Sequence, residues 1–346
     1  MSQLVIGVTG INASDNPAPG IGVAKSLKLD TDLDARIVGL AYDAMEPGIY
    51  MDWFIDKAFM VPYPTAGHEA LVARLLYIKA TYGLDVVVPT LDSELPFYIQ
   101  ARDELEQIGI LTYLPDKKQL SLRDKQSLPR LAALAGVEVP GQAIVTNHAE
   151  LTHAVQQLGL PVMVKGPLYS AHKAYTQQEA MAHFSTVVAK WGYPVIIQKV
   201  IQGDELNVIG VGDGEGNDLG LVAIKKMNVT GLGKIWTGVT VNHGELLEAT
   251  RRFVKATRWR GAFEMECILS NNQVNLIEIN PRFPAWVYFA TGVGVNLPAA
   301  LVRQAIGSAV SPSETYPAGQ LYVRYTDERV CDMALFQNMV TQGESL

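Results

Sequence analysis

The sequence predicts a mixed fold, in which an α/β domain comes first and an α+β unit follows. In the first third of the chain, apolar strand patterns alternate with helical patterns, whereas strand patterns dominate from Val195 onward. Between Glu264 and Trp286, two strand patterns are joined by a polar turn and carry acidic residues along one face. These features predict a parallel sheet followed by a largely antiparallel one.

The first domain is predicted at residues 1–112, where short apolar strands alternate with helices. The predicted strands are Leu4–Val8, Arg36–Leu40 and Asp85–Pro89, and the predicted helices are Ile21–Leu29, His68–Thr81 and Leu95–Ile108. Such alternation is typical of a parallel sheet that is covered by helices on both faces.

Two further regions are predicted, at residues 113–195 and 196–346. The elements predicted from residue 113 to 199 are helix Asp124–Leu134, strand Gln142–Val145, helix His148–Leu158, strand Val162–Lys165, helix Gln177–Lys190 and strand Val195–Lys199. Those predicted after it, besides the acidic hairpin, are strands Glu205–Gly212 and Leu219–Met227, helices Glu245–Thr257 and Asn296–Ile306, strand Gln320–Tyr325 and helix Asp332–Val340. No internal repeat or low-complexity segment interrupts this order.

Composition narrows the classes of function. The 346 residues are 48% hydrophobic, which is enough for the cores of two or three domains. A formal net charge of −7 and the lack of any Lys/Arg run argue against nucleic acid and against an anionic membrane as partners. Cys267 and Cys331 do not suggest a disulfide framework. The N-terminus begins on a strand pattern, and no run of about 20 apolar residues occurs, so we expect a cytoplasmic protein.

The acidic hairpin is the strongest functional signal. Alternation places Glu264 and Glu266 on one side of the first strand, and Glu278, Asn280 and Arg282 on one side of the return strand. Close carboxylates repel each other unless a cation lies between them, and oxygen ligands of this kind suit Mg²⁺. A solvent-facing hairpin with an acidic stripe is the alternative interpretation.

Polar residues also end several strands. Lys165 closes an apolar strand and could enter a site or lie at the surface. The segment Gln198–Glu205 turns at Gly203, which leaves backbone groups that could pair with the edge of an adenine. Glu205 could then accept hydrogen bonds from ribose hydroxyls. An ordinary β-turn is the alternative interpretation of this segment. Lys225 and Lys226 alternate, so at most one of them faces a nucleotide.

Two loops of the first domain are candidates for ligand contact. Asp92 and Glu94 follow a strand at the edge where α/β sheets place ligands, although they equally fit caps of the next helix. The loop within residues 7–22 lacks the G-x-G-x-x-G spacing and is stiffened by Pro17 and Pro19. We therefore expect it to face a substrate cleft and not to bind a dinucleotide.

The order of these segments resembles that of the ATP-grasp superfamily, and within it the carbamoyl-phosphate-synthetase and biotin-carboxylase branch. The resemblance rests on the Lys165 strand, the Gln198–Glu205 hinge, the lysine strand and the E-I-N-P-R hairpin, and it covers nearly the whole chain. It implies an ATP-grasp fold with a Rossmann-like pre-ATP-grasp domain at the N-terminus. The implied cofactors are ATP and Mg²⁺, with Mn²⁺ as an alternative, and homodimers are common in the branch.

The resemblance also implies residue roles. The residues that would contact the nucleotide are Lys125, Lys165, Gln198, Lys199, Ile201, Glu205 and Lys225. The residues that would hold the metal are Glu266, Glu278 and Asn280, with Glu264 in reserve. Arg282 would steady the transferred phosphoryl group, and it and Lys165 are the catalytic candidates. The residues after Lys165, Pro167–Ala174, replace the family's glycine-rich phosphate loop with a glycine-poor one.

The implied reaction is ATP-dependent activation of a small carboxylate. Its acyl phosphate would then be attacked by an amine to form an amide, while residues 113–195 close as a lid that excludes water. A synthetase that makes carboxyphosphate or carbamoyl phosphate, and an ATP-binding module without turnover, are the alternatives. Phe283–Trp286 would wall the acceptor pocket or pack in the core.

Overall fold

The computed structural model of the chain describes residues 3–14, 16–166, 170–231, 233–313 and 315–345. Its strands are β1 Leu4–Thr9, β2 Ala35–Ala41, β3 Lys57–Met60, β4 Val86–Val88, β5 Gln142–Val145, β6 Val162–Lys165, β7 Ala171–Ala174, β8 Val195–Lys199, β9 Asp204–Asp213, β10 Asp218–Val229, β11 Ile235–Thr240, β12 Arg260–Ser270, β13 Gln273–Asn280 and β14 Leu321–Val323. Its α-helices are α1 Gly20–Lys28, α2 His68–Tyr82, α3 Leu95–Gln107, α4 Lys117–Ser121, α5 Leu128–Ala135, α6 His148–Leu158, α7 Gln177–Trp191, α8 Gly244–Thr257, α9 Tyr288–Gly292, α10 Leu297–Ala305 and α11 Met333–Gln342.

The N-terminal domain is built on a parallel sheet of order β3-β2-β1-β4. Its central strands are buried on both faces, as their continuous apolar runs predict. The strands β2 and β3 follow on one side of β1, and β4 lies on its other side. Because the direction of strand addition changes between β1 and β4, the loops that follow these two strands form a crevice at the carboxyl edge of the sheet. The short strand β3 was missed by the sequence analysis, because its four residues carry little periodicity.

The middle of the chain forms a smaller antiparallel sheet of order β5-β8-β6-β7, which α6 and α7 cover on one face. Apolar residues of both helices and of β6 and β8 make its own core. Because β8 pairs with β5 and β6, this sheet runs through Lys199, past the boundary predicted at residue 195. We call this unit the lid.

The C-terminal lobe is a six-stranded antiparallel sheet of order β13-β12-β9-β10-β11-β14. The helices α5 and α8 pack together against one face, where Phe253, Trp259 and Phe263 are fully buried. The helix α5 therefore belongs to the core of this lobe, although the sequence analysis assigned it to the middle region. The other face turns toward the N-terminal domain and the lid, and it carries the acidic hairpin.

The C-terminal segment returns to the N-terminal domain. After α11, the N–H of Met60 donates to the carbonyl of Gly343 and the N–H of Ser345 donates to that of Ala58, so the segment pairs with the outer edge of β3. Arg74 also donates to the Gly343 carbonyl, at 2.6 Å. These bonds cover an edge strand that would otherwise be open. No helix in the described part of the chain has the length and apolar content that crossing a membrane requires.

Candidate active site

The acidic hairpin forms with the register that the alternation predicts. Glu266 of β12 lies opposite Glu278 of β13, and Glu264 lies opposite Asn280. The turn between the strands is made by Asn271 and Asn272, both with positive φ, a conformation that asparagine tolerates better than most residues. Three carboxylates and one amide thus share one face of the sheet.

Glu264 is the most deeply buried of these carboxylates and is fully hydrogen-bonded. Its Oε1 accepts from Asn207 Nδ2 and from Trp286 Nε1, each at 2.7 Å, and its Oε2 accepts from Asn280 Nδ2 at 3.0 Å. Burial, together with the nearby charge of Glu266, raises the pKa of Glu264. Because its oxygens are occupied by side-chain donors, Glu264 fits the role of holding its neighbours in place better than that of a metal ligand.

The lysine on the site face is Lys226. Its Nζ lies 2.8 Å from Glu266 Oε2 and 3.4 Å from Glu205 Oε2. Burial alone would lower the pKa of Lys226, because it disfavours the charged ammonium. The negative charges of Glu266 and the other carboxylates have the larger combined effect, so the pKa of Lys226 is raised. Burial also opposes ionisation of Glu266, yet the charge of Lys226 lowers the pKa of that carboxyl overall. Lys226 therefore neutralises part of the acidic face.

The structure corrects the prediction for Lys225. This residue projects from the opposite face of β10, where its Nζ pairs with Asp204 at 2.8 Å and its side chain is 39% exposed. The alternation of the strand allows only one of the two lysines to face the cleft, and the bond between Lys226 and Glu266 decides which one it is.

Two lysines from outside the hairpin approach it. Lys125 Nζ lies 3.6 Å from Glu278 Oε1, and Lys165 Nζ donates to Gln198 Oε1 at 2.6 Å. Burial lowers the pKa of Lys165 to about 8, and the charge of Lys125 adds to this effect while Glu278 opposes it. For Glu278, burial raises the pKa, against the pull of Lys125. The lid and the lobe thus bring cations and carboxylates to one cleft.

The hinge between lid and lobe follows β8. The N–H groups of Lys199 and Val200 donate to the carbonyls of Gly141 and Pro161, whereas the backbone of Ile201 has no hydrogen bond to any described residue. A Cβ at Gly203 would lie 2.2 Å from the carbonyl oxygen of Leu269, so only glycine allows the chain to pass β12 at this point. Ile201 is therefore the hinge residue best placed to pair with a ligand.

Arg282 joins the hairpin to the N-terminal domain. Its Nε donates to Asp92 Oδ2 at 2.9 Å, and its Nη1 lies 3.8 Å from Glu264 Oε2. Asp92 also lies 3.5 Å from Arg123 Nη1. The neighbouring Glu94 is completely enclosed and accepts from the hydroxyls of Thr9 and Tyr42, so it organises the loops of the sheet edge. Of the two acidic residues predicted at this edge, Asp92 faces the cleft.

Further cations line the cleft beside Arg282. Burial lowers the pKa of Lys234 to about 8, and the charges of Arg282 and Arg324 lower it further. Lys234 Nζ donates to the carbonyl of Pro17 at 2.7 Å, which brings the loop after β1 to the site as predicted. Arg324 Nη2 donates to Ala285 O at 2.6 Å, and its buried Nε has no partner among the described residues. We call Lys234, Arg282 and Arg324 the cation cluster.

The residues after the hairpin pack in the core, which is one of the two alternatives that the sequence left open. Phe283 and Trp286 are buried in the main core, as the packing interpretation predicts. The indole of Trp286 nevertheless reaches Glu264, so it supports the site from below. Three residues of the predicted phosphate loop, Pro167, Leu168 and Tyr169, lie outside the described residues.

The oxygen donors of the hairpin suit a hard divalent cation in their chemistry. Within the described ranges, no group of three or more His, Cys, Asp and Glu side chains is arranged to ligate a metal. Glu266 and Glu278 supply two carboxylates, and Mg²⁺ usually completes its shell with waters and phosphate oxygens. Asn280 turns its Nδ2 to the carboxylates and its Oδ1 to Arg282, so a half-turn of its amide would be needed to present oxygen.

Lys234 and Arg324 were not predicted as site residues. Both stand alone in polar segments at strand ends, without a motif around them. Only the pairing of β11 with β14 and of β10 with β11 brings them to Arg282. The strand register is enough to select Lys226 over Lys225 as the lysine that faces the cleft. In that register, Lys226 lies on the same face of the sheet as Glu205 and Glu266.

Comparisons with known proteins agree with this architecture. Residues 193–328 match a protein-family model described as "ATP-grasp in the biosynthetic pathway with Ter operon". The C-terminal section of the carbamoyl phosphate synthase large chain of Aquifex aeolicus is 24% identical over 202 residues, covering 54% of this chain. The chain spans 37% of that relative's length.

Two solved structures resemble most of the chain. The biotin carboxylase domain dimer of Hydrogenobacter thermophilus 2-oxoglutarate carboxylase, in complex with MgADP, ADP and bicarbonate, superposes with a TM-score of 0.67 at 17% identity, covering 88% of this chain and 70% of that one. The L-amino acid ligase from Bacillus licheniformis gives 0.66 at 15% identity, covering 89% and 75%. The chain therefore carries an ATP-grasp domain, and the predicted ATP-grasp fold is confirmed.

Proposed function

We propose that this ATP-grasp protein is an ATP- and Mg²⁺-dependent carboxylate–amine ligase that joins a small carboxylate to an amine through an acyl phosphate. The observation that carries the proposal is the pairing of Glu266 with Glu278 on one sheet face, with Lys125 and Lys165 approaching them from outside the hairpin. Acidic ligands for a metal, beside cations for phosphates, are the parts that phosphoryl transfer needs.

The nucleotide would lie between the lid and the C-terminal lobe. The backbone of Ile201, which has no hydrogen bond to any described residue, would pair with the adenine edge, and Glu205, near the start of β9, would accept from the ribose. Lys125 and Lys165 would face the phosphates, and Lys226 would balance the charge of Glu266. Glu266, Glu278 and Asn280 would hold Mg²⁺, whose positive charge would offset that of the phosphates.

The carboxylate substrate would bind at the cation cluster. Lys234 and Arg324 lie beside Arg282 at the crevice of the N-terminal sheet, and the buried Nε of Arg324 lacks a partner among the described residues. A carboxylate held there would be close to Arg282, whose planar fork suits the oxygens of a transferred phosphoryl group. The substrate oxygen would attack the γ-phosphorus, ADP would leave, and the amine nitrogen would then displace phosphate from the acyl carbon.

The comparisons support the same class of chemistry. The L-amino acid ligase among the structural neighbours is named for joining amino acids, and a biotin carboxylase neighbour was crystallised with MgADP and bicarbonate. Both partners of the reaction would be small molecules, because the cation cluster lies inside a crevice between domains.

The test is a screen of carboxylates and amines, singly and in pairs, for ADP release in the presence of Mg²⁺. Hydroxylamine replaces the amine in a parallel screen, because it traps an acyl phosphate as a hydroxamate. We expect ADP release to require a carboxylate, and a hydroxamate to form with the same compound. ADP release that needs only bicarbonate would favour a carboxyphosphate synthetase, and tight ATP binding without turnover of any pair would favour a binding module.

A further inference from the structure

The chain leaves β6 of the lid after Lys165 and returns as β7, and a backbone hydrogen bond joins the two ends of this connection. The N–H of Gly166 donates to the carbonyl of Ser170 at 2.9 Å. Ser170 has a φ of +71°, a left-handed conformation that glycine adopts freely and serine uncommonly. At the place where the family resemblance implies a glycine-rich phosphate loop, a serine therefore has a backbone conformation typical of glycine.

A side chain of α7 holds Ser170 in this conformation. The indole Nε1 of Trp191, the last residue of the helix, donates to Ser170 Oγ at 2.8 Å. The helix packs against both β6 and β7, so the indole approaches from the covered face of the lid sheet. This bond fixes the side chain of Ser170 relative to the helix, and it offsets part of the cost of a positive φ.

The alternation of the two strands separates this covered face from the cleft. Val164 of β6 and Ala174 of β7 belong to the core beneath the lid helices. Lys165 and Ala171 have the opposite parity, so they lie on the other face, and they are directly opposite each other in the register. Ala171 therefore lies beside Lys165 on the cleft face, whereas Ser170 is anchored on the helix face.

The backbone beside Lys165 offers hydrogen-bond donors. The N–H of Ser170 has no hydrogen bond to any described residue. Because Gly166 and Ser170 are bonded to each other, the N–H of the next residue, Ala171, points away from β6. No strand in the described part of the chain pairs with that side of β7. Two consecutive N–H groups beside a lysine suit the oxygens of a phosphate.

We propose that Trp191 is a positioning residue for the terminal phosphates of ATP, because it holds Ser170 so that the N–H groups of Ser170 and Ala171 meet phosphate oxygens beside Lys165. The phosphates concerned are the terminal ones, since Lys165 lies close to Glu278, a proposed metal ligand. This inference rests on the proposed function, because it needs a nucleotide in the cleft. The hydrogen bond from the indole replaces the conformational freedom of a glycine-rich sequence.

The test is titration calorimetry of the full-length protein with AMP-PNP, a non-hydrolysable ATP analogue, and with AMP, each in the presence of Mg²⁺. Trp191→Phe keeps an aromatic ring but removes the donor, and Ser170→Ala removes the acceptor. Each variant should weaken AMP-PNP binding about fivefold, as expected for the loss of one neutral hydrogen bond, and should leave AMP binding within about twofold of wild type. Trp53→Phe, at a half-exposed position of the N-terminal domain, is the control and should bind both nucleotides normally.

Two double variants separate the hydrogen bond from other effects of the substitutions. The losses in Trp191→Phe and Ser170→Ala should not add when the two changes are combined, because both remove the same bond. In Trp191→Phe combined with Ser170→Gly, AMP-PNP affinity should return to within about twofold of wild type, because glycine adopts a positive φ without support.

The outcomes distinguish this inference from the proposed function. Unchanged AMP-PNP affinity in both single variants would overturn the inference and leave the proposed function standing. Equal weakening of AMP-PNP and AMP would overturn it too, since the indole would then support the lid as a whole. Additive losses, or no recovery with glycine, would have the same consequence. Wild-type protein that bound neither nucleotide would overturn the proposed function and this inference with it.

Discussion

Asp92 and Arg282 lie 190 positions apart in the chain, yet Asp92 Oδ2 accepts a 2.9 Å hydrogen bond from Arg282 Nε. The contact joins the edge of the N-terminal sheet to the end of the acidic hairpin. Because Nε is held by Asp92, the orientation of the guanidinium plane is fixed, and its Nη atoms face Glu264 and Asn280. The N-terminal domain therefore sets the geometry of an arginine that belongs to the other lobe.

Replacing Asp92 with asparagine should slow turnover while leaving nucleotide binding intact. The charged hydrogen bond to Arg282 would become a weaker one, and loss of this orientation should lower kcat about 10- to 100-fold. The affinity for ADP, measured by titration calorimetry, should change less than about twofold, since Asp92 belongs to the N-terminal domain and the proposed nucleotide site lies between the lid and the C-terminal lobe. Asp32→Asn, on the exposed surface of the same domain, is the control. Normal kcat in Asp92→Asn would show that the contact does not position Arg282.

Lys226 and Lys225 form a natural pair for testing which face of β10 is functional. Lys226→Met removes the charge that lies 2.8 Å from Glu266, so we expect turnover to fall about 100-fold or more. Lys225→Met removes an exposed ion pair with Asp204, and such pairs contribute little, so activity should stay within about twofold of wild type. Initial rates of ADP release measure both. Equal losses in the two variants would contradict the assignment of faces.

Local patterns were sufficient to predict much of the fold. The bounds of β5, β6, β8 and α6 agree with the sequence analysis at both ends, because strong apolar periodicity and turn residues define them. The strands β3, β7 and β11 were missed. The four-residue strand β7 is mostly polar, and β11 mixes exposed and buried residues, so neither has a clear period of its own. They exist because neighbouring strands pair with them.

The residues of the candidate site also fall into those that local sequence patterns predict and those that they do not. Glu266, Glu278 and Arg282 could be predicted because they lie on one hairpin, where parity alone fixes the face. Lys234 and Arg324 could not be predicted, since their approach to Arg282 depends on pairing between strands that are far apart in the chain. Glu264 was considered only as a reserve metal ligand, because nothing local shows that Trp286 and Asn207 would bond to it.

Metal dependence should disappear when either paired carboxylate is neutralised. In wild-type protein, Mg²⁺ should add a few degrees to the melting temperature measured with ADP, because a ligand that binds only the folded state stabilises it. Glu278→Gln and Glu266→Gln keep the shape of the side chain but remove a hard anionic ligand. We expect the Mg²⁺-dependent part of the shift to vanish in both. Glu69→Gln, at a helix position away from the cleft, should behave as wild type, and retained shifts in the hairpin variants would refute the ligand assignment.

Nucleotide affinity should fall as the pH rises through the pKa of Lys165. Burial places this pKa at about 8, far below the ordinary value for lysine, so the ammonium is present below pH 8 and is lost above it. In the proposed site the phosphates of ADP would bind the charged form, and between pH 7 and 9 the charged fraction drops about tenfold, so the dissociation constant for ADP should rise by a similar factor. Titration calorimetry at each pH measures the dissociation constant for ADP. Binding is measured and not turnover, because the pH dependence of turnover would also include the titration of Lys234. In Lys165→Arg the guanidinium stays charged throughout, and the profile should become flat. An unchanged slope in that variant would mean that another group, and not Lys165, meets the phosphates.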